Sequence, residues 1–563
     1  MRHTQTVSDA PLPSSPSPET PTTAAPAAPL PWRTEVLLLL VVALALRALK
    51  IAVTEPWLDE ACSIELARQG PAALLHTLTT SDASPHPPLY FLLLSGFIHL
   101  LGDSIGPVRL PSLFAGLALV ATTAEAARRL AGRWPARLAG LIAAVSPLAI
   151  HYSVEARGYG LLAVLSLGLA LSVERYLTTG GRRGLLLIAT LGLAASLTHY
   201  FALFLLPLPL MLALGDEVNR RRRVNQALAD PPNRGAPSAV RGAAIASAVL
   251  LAAMLPGIWL VIGQLQRGAG GTSWLRPMTG IVDASVASLE AMALGTQLPV
   301  YLGHAGMVRV GELMHALGLG FMGGGALLGT LWPLAPERRR IRRALAGLAL
   351  LSAGAPLVLS IWRPLYLPGR YELAAMAPVH VLAAVGWWHM FRLLAARLKR
   401  RDQVAGWLVG LTVVVLSSAY LPQYLGLRTV QPFTLVTMSI TRSATPTSAV
   451  IVTRLTGPPT AWQLRQSEFP GITRYFPAAQ ASHPCWLDTA ARADPELADE
   501  ATALSAELAR AGIDRLFVVV ALRKGRPYPP TSMLFKALKV TGWKMRGSRH
   551  AGVYGIAMFA RKR

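Results

Sequence analysis

The sequence predicts a polytopic α-helical membrane protein of about 11 transmembrane helices that ends in a small α/β domain. Three observations carry this. The chain is 52% hydrophobic and only 15% charged, whereas a soluble chain carries charge on roughly a quarter of its residues. Apolar runs long enough to cross a bilayer recur as far as Leu421. The arginine clusters lie in short segments between those runs, which is the positive-inside pattern. A net charge of +25 suggests nucleic acid at first sight, but no basic stripe interleaves with aromatics, so no nucleic-acid partner is expected. Two cysteines, Cys62 and Cys485, exclude a disulfide scaffold or a four-cysteine metal site. Pairing is open to them if both lie outside, although free buried thiols are expected.

Residues 1–33 are rich in Pro, Ser, Thr and Ala, and are expected to form a disordered cytoplasmic segment because they bury too little to fold. Residues 34–425 form the membrane domain. The first span is Leu37–Val53, with Arg47 and Lys50 expected to snorkel to an interface. Pro88–Leu101 is about fourteen residues, too short to cross comfortably. It reads as a juxtamembrane helix in the first external loop. The remaining spans are then Val108–Leu130, Leu138–Tyr152, Leu161–Leu177, Gly184–Leu197, Tyr200–Leu214, Ala243–Ile262, Val310–Leu331, Leu345–Trp362, Tyr371–Phe391 and Trp407–Leu421. This count puts the clusters at Arg128–Arg137, Asn219–Arg223, Glu337–Arg343 and Arg392–Arg401 on one side. Gly263–Arg309 is a long, Gly-rich external segment. Its weakly amphipathic stretch Val282–Leu294 is suited to the membrane surface or to covering a site.

Residues 426–563 read as an extracytoplasmic α/β domain. Ser448–Thr453, Asp514–Ala521 and Val553–Ala560 have strand composition, and Pro495–Ala511 has the period of an amphipathic helix. No GxGxxG follows a strand, so a nucleotide site is not expected.

Four motifs carry the chemistry. TEPWLDEACSIELARQG (Thr54–Gly70) puts Asp59 and Glu60 just past a membrane boundary, two residues after an interfacial Trp57. PHPPLY (Pro85–Tyr90) places His86 before a proline-initiated helix. SVEARGY (Ser153–Tyr159) holds Glu155 and Arg157, and GRYELAAMAP (Gly369–Pro378) holds Arg370 and Tyr371. The turn THYF adds His199 and Tyr200 as a weaker case. Each has a plainer reading: a solvated acidic loop or a helix cap at Asp59, a surface histidine, an exposed Glu–Arg pair worth little, and a snorkelling arginine.

In this order the motifs resemble membrane glycosyltransferases of the GT-C fold that use lipid-linked sugars. Bacterial protein O-mannosyltransferases, lipid A aminoarabinose transferases and lipopolysaccharide-core glycosyltransferases are the nearest types. The resemblance covers roughly Leu37–Phe391. It implies transfer of a sugar from a polyprenyl-phosphate donor to an acceptor hydroxyl on a lipid, glycan or protein, at the external face of the inner membrane. Nucleotide sugars are cytoplasmic in bacteria, so an external site implies a lipid-carried donor. The implied catalytic residues are Asp59, Glu60 and Glu155, with Asp59 as the general base of an inverting displacement. His86, Arg370 and Tyr371 would bind the donor phosphate. Arg157, Tyr159, His199 and Tyr200 would line the acceptor or sugar side. The second Asp-x-Asp pattern of the family is missing around Glu155, so neither a metal nor a cofactor is expected. The rival readings are a transporter or flippase, and a non-catalytic envelope partner. A transporter would show ionisable residues in mid-span or repeated halves, and here most carboxylates lie at external edges.

Overall fold

The computed structural model describes residues 30–81, 84–226, 236–267, 280–294, 312–362, 364–426, 433–453, 456–478, 485, 495–523, 526–551 and 554–561. Residues 1–29, 268–279 and 295–311 lie outside the described residues, and with them the expectations placed there; the stretch Val282–Leu294 is described, forms a helix, and buries Ala284, Ser288, Ala291 and Met292.

Helix α1 (Trp32–Ile51) is followed by three short helices, α2 (Leu58–Arg68), α3 (Pro71–Thr80) and α4 (Leu89–Leu101). Then come α5 (Ile105–Ala131), α6 (Arg133–Val145), α7 (Pro147–Ser153), α8 (Tyr159–Thr179), α9 (Arg182–Thr198), α10 (Leu208–Gln226), α11 (Ala236–Gln266) and α12 (Ile281–Leu294). A π turn joins α13 (Glu312–Leu319) to α14 (Gly325–Leu331), and another joins α15 (Arg339–Ala349) to α16 (Ala355–Leu359). Helices α17 (Leu373–Leu394) and α18 (Arg401–Gly426) complete the bundle. Among the described residues six helical stretches are long and apolar enough to cross a membrane: Ile105–Ala131, Tyr159–Thr179, Tyr200–Arg221, Val240–Gln266, Pro336–Leu359 and Leu373–Leu394. Outward-facing side chains are apolar where a bilayer would meet them, as with Leu37, Leu38 and Val41 of α1 and Trp407, Leu411 and Val414 of α18.

Arg109, in the first turns of α5, donates to Ile51 O and Thr54 O at 2.8 and 2.9 Å. The start of α5 therefore lies beside the end of α1, and the short helices between them do not traverse the bundle. At the far ends of α1 and α5 lie the pairs Arg137–Glu35 and Arg129–Glu174; Arg340, which pairs with Asp216, also donates to Leu177 O close to Glu174, and Arg392 pairs with Asp402. The arginine clusters are thus gathered at one end and the motif residues at the other.

Three sequence expectations need correction here. Arg47 and Lys50 do not snorkel: both are buried, and Arg47 donates to Ser153 Oγ and to Ala144 O, each at 3.0 Å. Leu138–Tyr152 is not one rod. Ser146 breaks it, because Pro147 lacks the N–H that would continue α6, and Ser146 Oγ caps α7 through Ala149 N–H. Tyr200–Leu214 is likewise two pieces, a 3₁₀ turn over Tyr200–Leu205 and then α10. Both breaks lie toward the end of the bundle that carries the motifs.

Helix α17 is the axis, buried on every face from Leu373 to Gly386. It can be so enclosed because glycines let α14 approach it. A methyl group at Gly329 would lie 2.0 Å from Leu382 O, and one at Gly386 would lie 2.1 Å from Gly325 O.

The C-terminal part comprises α19 (Phe433–Thr441), β1 (Ser448–Thr453), α20 (Gly457–Gln466), β2 (Ile472–Phe476), α21 (Pro495–Arg510), β3 (Arg515–Arg523), β4 (Arg526–Pro527), α22 (Pro529–Val540), β5 (Trp543–Ala551) and β6 (Tyr554–Arg561). The sheet order is β2-β1-β3-β6-β5, with β1 parallel to β2 and β3, and β6 antiparallel to β3 and β5. Alternate residues of β1 and β3 serve two cores. Ile451 and Val518 face α21 and α22, while Val452 and Val519 face α19 and α20.

This sheet domain docks on the first inter-helix loop. Trp462 Nε1 donates to Asp103 O at 3.0 Å, Arg465 pairs with Glu65 at 2.5 Å, and Thr434 N–H donates to Glu55 Oε2 at 2.8 Å. Cys62 of α2 and Cys485 form a disulfide, against the expectation of free thiols. Their separation of 423 residues explains why sequence reading did not join them.

Candidate active site

Helix α2 begins at Leu58, so Asp59 and Glu60 both sit in its first turn, and no side chain caps it. Adjacent helix positions point about 100° apart, and these two carboxylates part company. Asp59 meets the guanidinium of Arg370 in a direct ion pair, with Arg157 Nη2 3.8 Å away. Glu60 turns to Arg109, which donates to both its oxygens at 2.6 and 2.7 Å, and it also accepts Ala156 N–H at 2.9 Å. Glu60 thereby ties α2 to α5 and to the Glu155–Arg157 loop. Both its oxygens are thus occupied. Both carboxylates are buried, which removes the reading as a solvated loop.

Arg370 reaches the cluster from the turn before α17. Its Nε donates to Tyr159 OH at 2.6 Å, and its guanidinium lies 5.5 Å from the Trp57 ring centre and 5.8 Å from that of Tyr371. Arg157 donates to Ser63 Oγ at 3.2 Å and to His86 Nε2 at 3.0 Å. The histidine therefore accepts at Nε2, leaving its proton on Nδ1, which faces Ser84 Oγ at 3.3 Å. Burial, then the charges of Arg157, His199 and Arg370, hold His86 well below its ordinary titration range. It is neutral. The positive charge in the cleft comes from Arg157 and Arg370.

Glu155 accepts Trp57 Nε1–H at 2.8 Å and lies 2.8 Å from His151 Nε2. Burial pulls its carboxyl upward, but His151, Arg370 and Arg157 outweigh that, so it titrates below its ordinary value. Glu155 and Arg157 do not form the exposed local pair that their spacing allows, for both are buried and bound to other groups. The aromatic wall is Tyr159, His199 and Tyr371, with His199 ring centres 5.6 Å from Tyr159 and 6.2 Å from Tyr371. Phe201 N–H donates to His199 Nδ1 at 3.2 Å, and burial, with Arg157 and Arg370, lowers the ring to about 3. Tyr200 turns away and donates to Gln264 Oε1 at 2.9 Å. Gln264 in turn donates to His86 O at 3.3 Å, so Tyr200 supports the His86 loop rather than lining the cleft.

Of the residues singled out from sequence, Asp59, His86, Glu155, Arg157, Tyr159, His199, Arg370 and Tyr371 come together, whereas Glu60 and Tyr200 sit behind them. Sequence reasoning missed Arg109, whose signal was a lone charge near the start of an apolar helix. It also missed Trp57 and His151 as the partners of Glu155.

The helical bundle, with its first inter-helix loop folded into short helices at one end and a small sheet domain at the C-terminus, has a GT-C-like fold. Residues 85–229 match the family model described as dolichyl-phosphate-mannose-protein mannosyltransferase. The structure of ArnT from Cupriavidus metallidurans in the apo state superposes with a TM-score of 0.57 at 15% identity, over 93% of this chain and 98% of that one. The same protein bound to undecaprenyl phosphate gives 0.55 at 14% identity, over 94% and 98%. The archaeal oligosaccharyltransferase AglB from Archaeoglobus fulgidus, in complex with an inhibitory peptide and a dolichol-phosphate, is more distant: 0.47 at 12% identity, over 95% and 75%. Comparison with curated proteins gave no match.

Proposed function

We propose that this protein transfers a sugar from a polyprenyl-phosphate donor to an acceptor hydroxyl, at the extracytoplasmic face of the inner membrane and with inversion. The observation that carries the reading is the buried Asp59 carboxylate held against Arg370 with Arg157 beside it. One acidic group beside two guanidiniums suits in-line displacement at a glycosyl phosphate, the acid serving as base and the cations holding the leaving phosphate. Asp59 takes the acceptor O–H proton as its oxygen forms the new bond to the anomeric carbon. The bond from that carbon to the phosphate oxygen breaks, and its electron pair leaves on the phosphate. Arg370 and Arg157 hold the phosphate before and during this step, Arg370 in the two-pronged manner open to a guanidinium. A phosphate is already a good leaving group, so a second acid is not needed. Neutral His86 orients Arg157. Tyr159, His199 and Tyr371 form the sugar wall, and Glu155 fixes Trp57 behind Arg370.

The solved structure of ArnT bound to undecaprenyl phosphate supports a polyprenyl-phosphate donor here. The Cys62–Cys485 disulfide supports an oxidising compartment for this end of the molecule, as does the gathering of arginines at the other end. Mass spectrometry of envelope glycans, lipids and glycoproteins tests the reading. A strain lacking the chain should lose one glycan species, restored by the wild type and not by Asp59→Asn. An unchanged envelope profile would count against it.

A further inference from the structure

The Arg370 turn contains a buried acid that the proposed chemistry does not use. Glu372 is fully buried. One of its oxygens accepts Gly369 N–H, and the other accepts Arg370 N–H at 3.2 Å. Gly369 has φ +80°, the left-handed region that favours glycine, so the turn is tightly specified. Tyr152 OH closes it from the other side by donating to Gly369 O at 2.8 Å. Tyr366 lies near enough to act on the Glu372 carboxyl electrostatically, and its phenol meets Ser288 Oγ of α12 at 2.8 Å.

A buried carboxyl served by two backbone N–H groups costs desolvation that an apolar residue would avoid. What it returns is a fixed backbone at Arg370, two residues away. We propose that Glu372 is a positioning residue, and that the chain Ser288–Tyr366–Glu372 sets where the Arg370 guanidinium is presented to the donor phosphate. The inference rests on the phosphate-binding reading of Arg370. It makes α12 part of the phosphate grip although none of the cleft residues lies on it.

Glu372→Gln keeps the size but sets an amide N–H₂ against one of the two backbone donors. Tyr366→Phe removes only the phenol and is the milder variant should Glu372→Gln fold poorly. Glu372→Gln should weaken donor binding and slow single-turnover transfer at saturating donor by about ten- to a hundredfold, the range for a misplaced positioning group. Tyr366→Phe should shift both in the same direction by less. Because Glu372 acts through Arg370, its effect should largely vanish in an Arg370→Lys background. If Arg370→Lys binds donor and transfers normally, the phosphate-grip reading fails first. If Arg370→Lys is defective, yet Glu372→Gln and Tyr366→Phe alter only Tm, or their effects simply add to that of Arg370→Lys, then Glu372 is a structural residue and the inference is overturned.

Discussion

Asp59→Asn has two opposite consequences. Asp59 pairs with the same guanidinium that the donor phosphate would need, and Arg157 is 3.8 Å from it. At an effective dielectric near 20, a unit pair at about 4 Å is worth roughly 4 kcal/mol. The phosphate must displace part of that attraction and also meets repulsion from the carboxylate. Asn removes both. If a third of the pair energy survives water and rearrangement, donor binding tightens by about 1.4 kcal/mol, about tenfold in Kd. Turnover moves the other way, falling about a hundredfold or more through loss of the base. Without donor, the variant leaves two buried cations short of a counter-ion, a defect that costs several kcal/mol at a buried pair. Its Tm should therefore drop, and saturating donor should restore it. Donor titration by calorimetry in nanodiscs, with thermal unfolding alongside, checks all three. Weaker donor binding by a variant that stays folded would refute the competition between Asp59 and phosphate.

Four further outcomes follow from the same geometry. Glu60→Gln should lower Tm through the loosened Arg109 pair, while single-turnover transfer by the folded fraction stays within a few-fold of wild type; a loss as deep as that of Asp59→Asn would support the catalytic role that the resemblance implies for Glu60. Cys485→Ser should make the protein more easily cleaved by protease between the bundle and the sheet domain, and wild type under reductant should behave alike; equal resistance would mean that the other docking contacts suffice. Burial lifts the Glu372 carboxyl from 4.5 to about 7, so the folded chain keeps a proton that the unfolded chain loses in that window. Stability should fall as pH rises through it, and the Tm decline between about pH 5 and 7.5 should be shallower in Glu372→Gln. Transfer should survive chelation and gel filtration; activity lost on chelation and regained with Mn²⁺ or Mg²⁺ would recast Asp59 and Glu155 as oxygen ligands.

Most of the bundle was legible because hydropathy and arginine placement both report on crossing, and they agree on the side of Leu89–Leu101. The breaks at Ser146 and before α10 were less so. A proline inside an apolar run signals an interruption, but not which motif the interruption will lie beside. At the site, the sequence shows Asp59 and Glu60 only as neighbours past a membrane boundary. Only their divergence around α2 gives one to Arg370 and the other to Arg109. Arg47 read as a snorkelling residue because its acceptors, Ser153 Oγ and Ala144 O, lie about a hundred residues away in sequence. In the sheet domain, β1, β3 and β6 are apolar enough to be read directly, whereas β5, WKMRGSRHA, is a polar edge strand without such a pattern. Glu372 was visible only as a letter within GRYEL, since its role depends on a left-handed Gly369 and on Tyr366.

The most direct test uses purified protein in nanodiscs with a panel of polyprenyl-phosphate sugars labelled in the sugar and a membrane extract as acceptor. The account predicts that the wild type converts at least one donor to free polyprenyl phosphate and moves the label to an acceptor with inverted anomeric configuration. Asp59→Asn should bind the same donor and leave it intact over the same time. Label transfer at equal rates by wild type and Asp59→Asn, or no release from any donor by a folded wild type that binds it, would contradict the account.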